Sequence, residues 1–290
     1  MYLRSDTPPI TYECNGGGSV TNVAILVNNE KPIGAKGRIL KSSTEKGSFF
    51  IKVIMKESSE SKNETSFEFT EKSEFHDYNK PRATACLMKA VFIHTRLVVL
   101  NDKSNLSDQL TEKVNGTLEL QTWTGLPQGS GLGTSSILIC CVLKVIWYLM
   151  GIKVSDETLA YSTLIVEQLM TTNGGWQDQV GGIYGGFKFT TARNILPLEI
   201  RTESINLTYE SLQNINDRLL LVYTGLTRLA KDLLLNVLRN WYTISTRIYD
   251  NVQGLIENEK NCRLALKAGN IFYKTSCKKC FFIMTFFFSY

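Results

Sequence analysis

The segment Pro127-Gln128-Gly129-Ser130-Gly131-Leu132-Gly133-Thr134-Ser135-Ser136 sets alternating glycines among hydroxyl side chains, directly before a long apolar run. Glycines let a backbone bend and come close to an anion. A helix beginning behind them offers unpaired N–H groups and the positive end of its dipole. The hydroxyls of Thr134, Ser135 and Ser136 suit phosphate oxygens or a hydrated Mg²⁺. The spacing fits neither G-x-x-x-x-G-K-[ST], whose lysine is missing, nor G-x-G-x-x-G. The plainer alternative is a glycine turn closed by a Ser/Thr helix cap.

Two carboxylates extend the chemistry. A helix from Asp156 to about Met170 carries an apolar stripe through Leu159, Thr163, Val166 and Met170, and Glu167 falls inside that face. A glutamate on a buried face must be paired or must hold a cation. Beside a phosphate loop, ligation of Mg²⁺ is favoured over a structural salt bridge. Asp178 lies in Gly174-Gly175-Trp176-Gln177-Asp178-Gln179-Val180-Gly181-Gly182, read as a tight, semi-rigid turn among short strand-like pieces. A carboxylate there could orient an alcohol and accept its proton during phosphoryl transfer. The only two histidines, His76 and His94, have no serine nucleophile motif nearby, so a hydrolytic triad is poorly supported.

The remaining composition sets limits. With 290 residues and 43% hydrophobic content the chain can bury a substantial core in one large domain or two smaller ones. A net charge of +5 argues against a nucleic-acid binder. No segment reaches the roughly 20 apolar residues of a membrane span, and no signal peptide is visible. The seven cysteines are scattered, and Cys277-Lys278-Lys279-Cys280 lacks further ligands, so a reduced, cytoplasmic protein is expected.

The elements that must position these groups read as a mixture. Strands are predicted at Val20–Val27 and Leu118–Trp123, and a hairpin at Ser48–Met55 and Thr65–Thr70. A helix is predicted from Pro81 towards Val98. Ile137–Met150 forms another, stopped by Gly151, and a third starts at Ser155. Arg218–Tyr223 reads as a buried strand and Leu226–Tyr242 as a helix. Without a strict βαβ period the fold class is α+β. A composition shift near Asn206 marks a boundary.

Together the loop Pro127–Ser136, Glu167 and the Gly174–Gln179 segment resemble the GHMP superfamily of small-molecule kinases. Leu126–Leu138, Glu167–Gly182, Leu219–Ala230 and Ser5-Asp6-Thr7-Pro8-Pro9 are most similar to its L-fucose kinase branch, over roughly residues 4 to 270. The resemblance implies the GHMP kinase fold: a ribosomal protein S5 domain 2-like domain over 1–205 and an incomplete ferredoxin-like domain over 206–270. It implies transfer of the γ-phosphoryl of ATP to the anomeric hydroxyl of L-fucose, for salvage to GDP-fucose. The substrate is a small molecule, with neither nucleic acid nor membrane as partner. It implies that Pro127 and Gly129, Ser130, Gly131, Leu132, Gly133, Thr134, Ser135 and Ser136 cradle ATP. Ser135 and Glu167 would hold Mg²⁺, Asp178 would act as base, and Asp6 and Arg228 would serve the sugar.

The chain departs from the pattern in two places. It lacks the strand and Gly-Gly-Trp approach that precede Ser5 in the family, and nothing after Gly225 supplies the third, glycine-rich motif. It therefore reads as a kinase-domain fragment truncated at both ends, and 271–290 as an aromatic tail foreign to the family. A catalytically incompetent fragment and a heptose-phosphate kinase are the alternatives to a working fucokinase.

Overall fold

A computed structural model describes residues 8–13, 17–27, 29–41, 48–126, 131–172, 174–220, 230–243, 246–269 and 283–286. In chain order the first elements are α1 (Pro8–Glu13), β1 (Gly18–Ile25), β2 (Ile33–Leu40), β3 (Ile51–Lys56), β4 (Glu64–Phe69), α2 (Cys86–His94), α3 (Leu106–Lys113) and β5 (Thr117–Thr124). Then follow α4 (Thr134–Leu149), α5 (Asp156–Leu169), α6 (Gln177–Ile183), β6 (Phe187–Ala192), β7 (Ile200–Ser204), α7 (Tyr209–Asn216), α8 (Ala230–Tyr242), α9 (Thr246–Lys267) and β8 (Ile283–Phe286). The fold is α+β, as its mixed periodicities predict.

The elements cluster into two compact units interleaved along the chain. One holds β2–β5 with α2–α5. Its sheet has the order β2-β5-β3-β4, with β3 parallel to β5 and the other neighbours antiparallel. The β3–β4 hairpin is the one predicted. Ile51, Val53, Leu118 and Leu120 alternate inward from this sheet. Beneath them Ile137, Ile139, Val142 and Leu143 of α4 and Val91 and Phe92 of α2 complete a buried core. β2 escapes a sequence reading because Gly34, Lys36, Gly37 and Arg38 dilute its pattern. Its glycines are there for close packing: a Cβ on Gly37 would lie 2.7 Å from Val145 Cγ1 of α4.

Helix boundaries in this unit follow local chemistry. α2 begins at Cys86 rather than at Pro81, because Ala85 takes a left-handed conformation (φ 51°) as its cap. It ends at His94, where Thr95 Oγ1 donates to the carbonyl of Val91 and Arg96 turns left-handed (φ 60°). α3, which periodicity alone misses, is started by a capping box between Asn105 and Asp108. α4 stops before Gly151, at φ 73°, as its sequence signals.

The other unit holds α1, β1 and everything from α6 to β8. Its sheet runs β7-β6-β1-β8, with β6 antiparallel to both β7 and β1. β8 lies parallel to β1, Asn22 opposite Ile283, so part of the tail read as foreign to the fold contributes a strand. One sheet face presents Val23, Phe187 and Phe189 to Ile205 and to Leu266 of α9. On that face Thr21 Oγ1 donates to Glu259 Oε1 at 2.7 Å, and the Arg263 guanidinium lies 4.4 Å from the centre of the Phe189 ring. The opposite face carries Asn22, Lys188 and Thr190, paired across β1 and β6 and all buried. A second apolar cluster joins Ile10 of α1, Val237 and Trp241 of α8, and Ile248 and Val252 of α9.

Two expectations change in this unit. Gly174–Gly186 holds a helix, α6, rather than a turn with strand fragments: Trp176, Val180 and Ile183 recur at helical spacing and are all buried. Residues 218–220 form no strand; Leu219 and Leu220 are exposed there, and 221–229 lie outside the described residues. Among the described residues no helix is long and apolar enough to cross a membrane.

Candidate active site

The phosphate-loop candidate ends where α4 begins. Gly131 and Gly133 both have positive φ, 80° and 70°, a conformation that side chains resist. A Cβ on Gly131 would meet nothing within 4 Å, so open space borders this backbone. Gly133, which has no side chain to cap with, is the N-cap of the sixteen-residue α4, and among the described residues no side-chain cap bond is made there. Backbone amides at the positive end of a helix dipole suit an anion.

Within the first turn of α4 the hydroxyls diverge. Ser136 is buried and donates from Oγ to Oε1 of Glu167 at 2.5 Å, whereas Ser135 is exposed. Successive helical residues point about 100° apart, so only one of the pair can face α5. The resemblance couples Ser135 with Glu167; the structure brings Ser136 to it instead. Glu167 occupies the buried face predicted from the stripe. Its backbone carbonyl accepts from the N–H and the hydroxyl of Thr172, at 3.2 and 2.9 Å, which pins the end of α5. The start of α5 is fixed by Ser155, whose side chain accepts from the Thr158 N–H at 3.1 Å.

Serine hydroxyl and carboxylate make an oxygen-only donor set, which fits a hard cation such as Mg²⁺. Among the described residues no group of three or more His, Cys, Asp or Glu side chains could hold a metal ion. One carboxylate fits Mg²⁺ bound mainly through phosphate, better than an all-protein cage. Next to this pair, burial raises the pKa of the Cys140 thiol, which lies 2.9 Å from Thr163 Oγ1, and that of Cys141. Both are inert core thiols, as their apolar setting predicts.

Asp178 belongs to the other unit, in the first turn of α6. Only 7% exposed, it accepts at Oδ1 from Gln177 Nε2 at 3.2 Å. Gln177 is held in turn, since its carbonyl accepts from Asn22 Nδ2 at 3.3 Å. The preceding Trp176 is fully buried and donates to Thr11 Oγ1 at 3.4 Å. Sequence reasoning passed over Asn22 and Gln177; a lone amide within the apolar strand Val20–Ile25 is the signal that could have found the first. Asp6, Pro127, Gly129, Ser130 and Arg228 lie outside the described residues.

Residues 99–186, which span Gly131–Ser136, Glu167 and Asp178, match the GHMP kinases N terminal domain. The chain thus contains a GHMP kinase N-terminal domain, and the resemblance read from its motifs is borne out. Over 262 residues, 90% of its length, it is 32% identical to the bifunctional fucokinase/GDP-fucose pyrophosphorylase of Arabidopsis thaliana. Over 247 residues, 83% of its length, it is 30% identical to the L-fucokinase/L-fucose-1-P guanylyltransferase of Bacteroides fragilis. It spans only 23% and 24% of those two relatives. Its fold is that of a D-glycero-D-manno-heptose 1-phosphate kinase from Bacteroides thetaiotaomicron, with a TM-score of 0.52 over 92% of this chain and 69% of that one, at 15% identity.

Proposed function

We propose that this chain is an ATP-dependent sugar kinase of the fucokinase type, forming L-fucose 1-phosphate from ATP and L-fucose. The observation that carries the reading is similarity, at 32% and 30% identity over 90% and 83% of the chain, to two relatives whose names include fucokinase. In this reading 1–205 is the N-terminal domain and 206–270 belongs to the C-terminal domain of a cytoplasmic enzyme in GDP-fucose salvage.

The roles follow from the residues. Amides of Gly131–Ser136, with Pro127, Gly129 and Ser130, cradle the phosphates at the positive end of α4. Glu167 with Ser135 and Ser136 would hold Mg²⁺. When bound, that ion neutralises charge on the transferring phosphate. Asp178 orients the anomeric hydroxyl and takes its proton as the sugar oxygen bonds to the γ-phosphorus and the bond to the β-phosphate oxygen breaks, releasing ADP. Asp6 and Arg228 serve the sugar.

The test is transfer of labelled phosphate from ATP, with Mg²⁺, to L-fucose or to D-glycero-D-manno-heptose phosphates. Fucose-dependent product supports the reading, and heptose preference replaces it with the heptose kinase. No product from folded protein makes the chain an incompetent kinase fragment. Glu167→Gln should raise the KM for Mg²⁺-ATP by about tenfold, the scale of one lost charge-assisted contact, and leave the KM for fucose within about twofold. Equal damage to both constants would make Glu167 structural.

A further inference from the structure

Asn22 occupies the middle of β1, a strand otherwise rich in Val, Ala and Ile, and is 1% exposed. Its Oδ1 has no hydrogen-bond partner among the described residues. A buried amide with an unmet acceptor is a poor choice for a strand interior, where a β-branched apolar residue would pack without that penalty. What the side chain does accomplish is one donation, from Nδ2 to the carbonyl of Gln177 at 3.3 Å. That carbonyl belongs to the peptide unit joining Gln177 to Asp178. The Gln177 side chain, 4% exposed, then folds over its neighbour and donates from Nε2 to Asp178 Oδ1 at 3.2 Å. One residue is thus fixed at the backbone by the strand and fixes the carboxylate with its side chain.

Lys188, the cross-strand neighbour of Asn22, does not serve this carboxylate. Its Nζ donates to the carbonyl of Gly186 at 3.1 Å. On the far face of the sheet Glu259 is engaged with Thr21 and Arg263. The two amides are polar side chains that reach the Asp178 turn, one from its own helix and one from β1.

We propose that Asn22 and Gln177 are positioning residues for the phosphoryl-transfer step, acting through Asp178 by helping to fix the orientation of its carboxylate. The proposal rests on the reading of Asp178 as the base. A carboxylate held less firmly is aligned with the hydroxyl for less of the time, and misplacement by an ångström is enough to slow a reaction by about a hundredfold. Loss of one orienting bond should therefore lower kcat while leaving ground-state binding intact.

The experiment uses the 290-residue chain and a double-mutant cycle with L-fucose and Mg²⁺-ATP. Gln177→Met, which keeps length but cannot donate, should reduce kcat by about tenfold, with both KM values within about twofold. In an Asp178→Asn background the same substitution should change the residual rate less than about twofold, since its effect travels through the carboxylate. Asn22→Ser, which releases the Gln177 carbonyl, should behave alike with a smaller loss of about threefold.

A full tenfold loss persisting in the Asp178→Asn background, or a matched rise in both KM values, would make the residues structural and overturn the proposal. So would unchanged kcat in both single variants, or failure of both to fold by circular dichroism. If Asp178→Asn itself keeps the wild-type rate, the reading of the base fails instead, and the two failures are told apart.

Discussion

Asp178→Asn will lower kcat for sugar phosphorylation by at least about a thousandfold, within the range by which a positioned acid or base accelerates proton transfer. The substitution keeps the shape of the side chain and removes only its charge and basicity. Asp178 is almost wholly buried in the first turn of α6 and already accepts one hydrogen bond from Gln177. Its neighbouring elements therefore remain in place when an amide replaces it. ATP is held in the proposed scheme by backbone amides at the start of α4 and by Glu167, none of which changes, so its Kd should stay within about twofold. Isothermal titration with a non-hydrolysable ATP analogue and a steady-state assay decide the matter together. A variant that turns over normally removes Asp178 from the chemistry, and one that loses ATP binding with turnover removes the assignment as base.

How far such a site can be read before the fold is known depends on whether the signal is local. Glu167 was legible because a 3.6-residue period fixes which face a helical side chain takes, and the helix obeyed its period. The glycine turn that opens α4 was legible because glycines at Gly131 and Gly133 announce positive φ. Ser136 in place of Ser135 beside Glu167 was not, since it depends on how α4 is rotated against α5. The helix under Asp178 was masked by the glycines around it. Gly181 and Gly182 lower helix propensity, and burial of Trp176, Val180 and Ile183 overrides them. Asn22 lies 155 residues from Gln177 along the chain, and only the formation of β1 under α6 brings the amide to that carbonyl. The same separation explains why the strand β2, with its glycines and charges, gains meaning only once α4 is laid over it.

Lys188→Met will stabilise the fold near neutral pH and flatten its dependence on pH between 7 and 9. Lys188 is fully buried on β6, with one carbonyl as partner and no carboxylate paired with it among the described residues. Burial lowers its pKa from the ordinary 10.5 to about 7. Between those values the unfolded chain binds a proton that the folded chain does not, so stability rises with pH across that window. Below pH 7 both states are protonated and the whole penalty of a buried ammonium is present. At 1.36 kcal/mol for each pKa unit, moving from pH 7 to pH 9 should return roughly 2–3 kcal/mol to the wild type. The variant has nothing to regain. Burial raises the pKa of the Cys86, Cys140 and Cys141 thiols above the ordinary 9.0. The unfolded chain sheds these protons first, so the thiols take stability away as pH climbs past 9, and the comparison belongs below that point. Lys113, its pKa also lowered by burial, tilts both proteins alike and cancels in the difference. Urea unfolding of the two proteins at pH 7 and pH 9 measures it. Parallel slopes would mean that Lys188 stays charged in the folded state, with its ammonium solvated by groups other than the Gly186 carbonyl. A steeper slope in the wild type assigns the proton to the unfolded chain and leaves a neutral amine on β6 in the folded chain at the upper end of that window.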